Sequence, residues 1–182
     1  METPYTYISS IDYINDLDFD CVESYSFRRG REYEEKKKAT LNEYLLLQAR
    51  KKTQNNLTSS EETFLSEWPS LLGGDYLVDA DGQFHETAQK TNTFNDGDAA
   101  VEKLKAILNT PIEDVPMWLC APDHKDALVF YKEQKIISVL NVCLSCQYMQ
   151  TQKFTYINAD AKAYNLLTNF FIGIGHEVEE RL

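Results

Sequence analysis

Apolar side chains recur at helical spacing in several stretches of this chain, and capping residues mark where most of them begin. Ser9 stands three residues before Asp12, a capping-box pattern ahead of Ile11, Ile14 and Leu17, and predicts a short helix. Strong helix formers with mixed charges run from Arg28 to Lys38 and lead into Leu41, Tyr44, Leu45 and Leu47, which predicts one long helix over about 32–51. Ser59 and Glu62 repeat the capping box before Phe64, Leu65 and Trp68, with Pro69 and Gly73-Gly74 ending that region. Ala100, Val101, Leu104, Ile107 and Leu108 follow Asp96 and Asp98, either of which can cap their helix. A last helix over about 160–172 carries Ala163, Leu166, Leu167, Phe170 and Phe171, and Gly173 and Gly175 stop it.

Strand signals gather in the second half, at about 117–120, 127–131 and 136–143, the last two joined by a tight polar turn at 133–135. The stretches 53–60 and 85–95 are polar and read as loops. Helices early and strands late predict an α+β fold in which N-terminal helices pack on a small antiparallel meander, about 117–143, with a C-terminal helix. The expected organisation is one domain over 1–182, with a helical part to about 110 and the meander and last helix over about 111–182.

Composition narrows the partners. At 182 residues, with 43% hydrophobic side chains, the chain can bury a core without covalent staples. It has no apolar run long enough to span a bilayer and no signal-peptide pattern at its N-terminus, so a cytoplasmic protein with reduced cysteines is expected. A formal charge of −11 opposes binding to nucleic acid and to anionic membranes. Residues 1–27 hold Glu2, Asp12, Asp16, Asp18, Asp20 and Glu23 with no Lys or Arg, a one-sign segment that steers a basic partner or simply solvates the surface.

Three of the four cysteines carry the main candidate chemistry. Cys120, His124, Cys143 and Cys146 follow the spacing C-x3-H-x18-C-x2-C, four borderline or soft ligands that a structural zinc ion takes if the strands converge. Buried apolar thiols and a redox dithiol are the competing readings. Asp123 and His176 are alternative fourth ligands, and Asp126 is a candidate to orient His124 toward Cys120. The stretches C-A-P-D-H-K-D-A-L-V-F-Y (120–131) and I-I-S-V-L-N-V-C-L-S-C (136–146) resemble a signature of small uncharacterised bacterial proteins, in which a cysteine, a hairpin and a CxxC recur in that order. The resemblance covers about 30 residues; it implies a bacterial origin and a shared hairpin, and brings no activity.

Other motifs fail on their own chemistry. Asp79-Ala80-Asp81-Gly82 looks like part of a calcium loop, but aligned on Gly82 the first and twelfth ligand positions are Leu77 and Ala88. Gly173-Ile174-Gly175 lacks the third glycine and the strand of a dinucleotide loop. No phosphate loop, nucleophile elbow or HExxH occurs. Two functions remain. One is an acidic stoichiometric binding protein that docks a basic protein through Asp12, Asp16, Asp18, Asp20 and Glu23, in the manner of a toxin-neutralising immunity protein or a small regulator. The alternative is a zinc-stapled or thiol-redox protein centred on Cys120, Cys143 and Cys146.

Overall fold

Residues 6–54, 56–68, 75–117 and 121–178 are described by a computed structural model. Among them the chain runs β1 (Thr6–Ser9), α1 (Ser10–Asp16), β2 (Cys21–Ser26), α2 (Arg31–Gln54), α3 (Ser59–Glu67), β3 (Gln89–Asn95), α4 (Ala99–Leu108), β4 (Asp126–Lys132), β5 (Lys135–Cys143), β6 (Tyr148–Thr151), β7 (Thr155–Asn158) and α5 (Ala161–Gly173). The strands form one seven-stranded sheet in the order β1-β7-β6-β5-β4-β2-β3. It is mixed: β1 runs parallel to β7, and the other pairs are antiparallel.

This corrects the expected architecture. The N-terminal part is not a helical layer on a small meander, because it opens with a strand and supplies β1, β2 and β3 to the sheet. Strands from both sides of residue 110 share the sheet, since β2 pairs directly with β4. Residues 118–120 of the first expected strand lie outside the described residues, and Met117 is in no strand. The hairpin of β4 and β5 is present, turned by Glu133 and Gln134 at positive φ (48° and 64°), as a two-residue turn matched to strand twist demands.

Alternation along β2, β4 and β5 divides the core between two faces. Val22, Leu128, Phe130, Leu140 and Val142 face α1, α4 and α5, where they meet Tyr13, Ile14, Leu104, Leu108, Leu167 and Phe171. On the opposite face Ala127, Val129 and Val139 lie under Phe27, Leu77 and Val78. Asp160 fixes α5 at its start: one carboxylate oxygen caps the Lys162 amide and the other accepts from the amides of Glu113 and Asp114. Those three amides hold the Asp160 carboxyl below the usual range.

Helix α2 differs from the others. Of its 24 residues, Tyr33 and Leu47 are buried, and its helical neighbour is α3. Thr58, one residue ahead of the position expected from sequence, closes the capping box of α3 with Glu61.

Candidate functional site

The two ends of β2 hold the polar groups that set this molecule apart. At the Ser26 end the register places Ser26 against Asp126 of β4 and against Gln89 of β3. Asp126 shares the α5 face of its strand with Leu128 and Phe130, so its carboxylate enters the core layer and is 2% exposed. Arg29 donates to it through both terminal nitrogens at 2.9 Å, a fork matched to the two oxygens. His176 Nδ1 lies 2.7 Å from the same carboxylate.

His176 reaches that point because of how α5 ends. Gly175 takes φ +92°, its amide donates to Ile172 O, and the His176 amide donates to Phe171 O, the paired bonds of a Schellman motif. The reversal turns the imidazole back under the helix, where it meets the Phe171 ring edge-on at 4.8 Å and is fully buried. On its other side Nε2 stands 2.7 Å from Thr91 Oγ1. Thr91 is an extra residue: the register shifts between Ser24, opposite Asn92, and Tyr25, opposite Lys90. A bulge of this kind re-aims a side chain, and here it directs the hydroxyl onto Ser24 and His176.

Thr91, His176 and Asp126 thus form a hydroxyl, imidazole and carboxylate in line, and Thr91 and His176 line a groove together with Ser26, Arg29, Thr87 and Glu177. The chemistry available to them is limited by saturation. Thr91 Oγ1 has one hydrogen and two lone pairs, and three partners surround it: Ser24 Oγ at 2.6 Å, the Ser24 carbonyl at 3.0 Å and His176 Nε2. Its single hydrogen goes either to the Ser24 carbonyl or to Nε2, and both oxygens of Asp126 are already bound by Arg29. The arrangement is a crosslink between β2, β3, β4 and the end of α5.

The Cys21 end carries the acids. Asp18 pairs with Lys132 at 2.7 Å, and Asp20 accepts from the Glu133 amide at 2.8 Å. The Asp96 amide donates to the Asp20 carbonyl, and Lys105 bridges Asp96 and Glu102. Asp98 accepts from the Asn95 amide. Asp16, Asp18, Asp20, Asp96, Asp98, Glu102 and Glu133 are all exposed there. Asp12 is exposed as well but turns back to Ser9, which caps α1. Glu23 points to the other sheet face, where it accepts from Lys90, Tyr25 and Tyr131 and is 14% exposed. Burial alone would raise its carboxyl; those donors outweigh it and hold it below the usual range.

The segment leading to His124 lies against the other cysteines: the Asp123 amide reaches Cys143 and Cys146 Sγ lies 3.7 Å from the Ala121 carbonyl. Cys120 lies outside the described residues. His124 is buried, with Nδ1 3.2 Å from the Asp75 carbonyl, and burial pushes its imidazole down to about 4, the Asp75 hydrogen bond opposing and Arg28 adding to the shift. Cys143 is a buried free thiol whose sulfur accepts from the Asp123 amide at 3.4 Å. Cys146 is disulfide-bonded, unlike the reduced thiol expected from sequence, and a sulfur in that state offers a zinc ion no thiolate. Among the described residues no three His, Cys, Asp or Glu side chains converge on one point. Asp126 faces His176 and not His124.

Sequence reasoning passed over Arg29, Thr91 and the pairing of His176 with Asp126, whose residues are 50 apart in the chain. The usable signal was Gly175: a glycine stopping a helix predicts a chain reversal that returns the next side chain toward it. No helix among the described residues is long and apolar enough to cross a membrane. Comparisons with family models, with curated proteins and with solved structures return no match to this chain.

Proposed function

We propose that this chain is a stoichiometric binding protein that docks a basic protein partner on the acidic end of its sheet, the role of a toxin-neutralising immunity protein or a small regulator. The observation that carries the reading is the convergence at that end. Asp18 and Asp20 are joined there by Asp96, Asp98, Glu102 and Glu133, acids from the β3–α4 turn, α4 and the β4–β5 turn that are remote in sequence. Lys105 and Lys132 offset part of this charge. The exposed remainder attracts a basic surface over about a Debye length and sets the encounter rate more than the lifetime of the complex.

Charge reversal tests the idea on the basic protein that the immobilised chain captures from its host. Asp16→Lys, Asp18→Lys and Glu133→Lys together are expected to slow association at least tenfold at low salt and to flatten its salt dependence, with the urea midpoint unchanged. An association rate indifferent to both salt and reversal, or a host extract with no saturable partner, rejects the reading.

A further inference from the structure

Helix α2 exposes a seam that the described residues leave uncovered. Leu41 is 39% exposed and Leu45 54%, although both stand mid-helix in a protein with a full core elsewhere. Tyr33 and Leu47, the buried positions of α2, lie on a different face. Counting outward from the two leucines in alternating steps of four and three gives Glu34, Lys38, Leu41, Leu45, Gln48 and Lys52, the spacing of one side of a two-helix coiled coil. Leu46, 72% exposed, stands one residue off this line.

The order of side chains along the seam is complementary to its own reverse. Turned end for end about residue 43, the seam sets Leu41 against Leu45, Glu34 against Lys52 and Lys38 against Gln48. Gln48 gives its amide nitrogen to Tyr44 Oη at 2.6 Å, which leaves its carbonyl oxygen to accept from a lysine. A parallel pairing would instead place Glu34 on Glu34, Lys38 on Lys38 and Lys52 on Lys52. We propose that α2 binds α2 of a second copy of this chain, antiparallel about residue 43, in a two-fold symmetric dimer with Leu41 and Leu45 at its centre.

The attachment of α2 leaves room for this. Its first half lies on the sheet body, where Tyr33 meets His85 and Lys36 pairs with Glu86. Its second half is joined to α3, through the stack of Tyr44 on Trp68 and the ion pair of Arg50 with Glu61. An antiparallel pair therefore carries the two bodies at opposite ends of a seam about 27 Å long, from 18 residues at 1.5 Å rise. The present ties of the charged seam residues do not compete strongly: Glu34 is half-exposed and 4.0 Å from Lys125. Four leucines and two ion pairs make a small interface, so association is expected to be weak and concentration-dependent.

Sedimentation equilibrium of the full chain tests the proposal. The mass is expected to rise from 21.0 kDa toward twice that value with concentration. Leu45→Glu is expected to weaken association at least tenfold while leaving the circular dichroism spectrum intact, since the site is exposed. Glu34→Lys alone and Lys52→Glu alone put like charges at both ends of the seam and are each expected to remain monomeric. Mixed in equal amounts they are expected to dimerise, because the mixed pair holds one native and one swapped ion pair. A mass of 21.0 kDa persisting to roughly 1 mM, a dimer that survives Leu45→Glu, a mixture that fails to pair, or masses that grow past two copies would each overturn the proposal.

Discussion

Strand β2 joins two polar regions that use charge in opposite ways. At its Cys21 end the acids stand in water and are met by single lysines or backbone amides. At its Ser26 end one carboxylate, Asp126, is removed from water and met by a guanidinium fork and an imidazole. Coulomb attraction is screened at the first end and strong at the second, but the second also carries the cost of dehydrating its ions. Charge in the open suits recognition, where it acts at a distance and can be lost without unfolding. Charge in the core fixes geometry, here by tying the end of α5 to β2, β3 and β4.

The largest effect is expected from breaking the buried end. Asp126→Ala leaves the Arg29 and His176 side chains without their shared acceptor and is expected to destabilise the fold by about 3–5 kcal/mol, read by urea denaturation. A loss no larger than that of an exposed acid would put Asp126 in the same class as Asp18 and erase the contrast.

A pH titration of stability sharpens it. His124 titrates at about 4 in the folded protein, against about 6.5 when unfolded, so the unfolded chain binds the extra proton first. Stability is expected to fall as pH drops from about 6.5 toward 4, by roughly 3 kcal/mol, and then to level off for this group. His124→Leu removes that limb of the curve; an unchanged acid limb in the variant assigns it elsewhere.

Glu23 stands between the two extremes. Glu23→Gln keeps the shape but gives the Lys90, Tyr25 and Tyr131 donors a neutral acceptor, and is expected to cost about 1 kcal/mol. Because its folded carboxyl is held low, the wild-type advantage is present above the unfolded value and disappears as pH falls through the folded one. Equal stability of variant and wild type at neutral pH would make Glu23 a surface acid like Asp18.

What could be read from sequence follows from where each element lies. α4 and α5 bury one stripe, so Leu104, Leu108, Leu167 and Phe171 repeat at helical spacing and mark their helices to within a few residues. β3 is an edge strand with no buried residue, and Gln-Lys-Thr-Asn-Thr-Phe-Asn looks like a loop because Phe94 is its one hydrophobic side chain packed against the core. β2 does alternate, with Val22 and Ser24 buried between less buried neighbours, but polar Glu23, Ser24 and Ser26 hid it in the acidic segment. The acid-rich N-terminal segment was plain in sequence; its meeting with Asp96 and Glu133 depended on β2 lying between β3 and β4.

By itself the sequence determined the helices, the β4–β5 hairpin and the sign of the surface, because capping, spacing and charge act between residues a few positions apart. Tertiary structure alone decided the seven-strand order, the fate of the cysteines and the union of Arg29, Thr91, Asp126 and His176. Those pairings bring residues together across long loops, and their selection rests on the joint burial of both sheet faces, a quantity no local stretch of the chain contains.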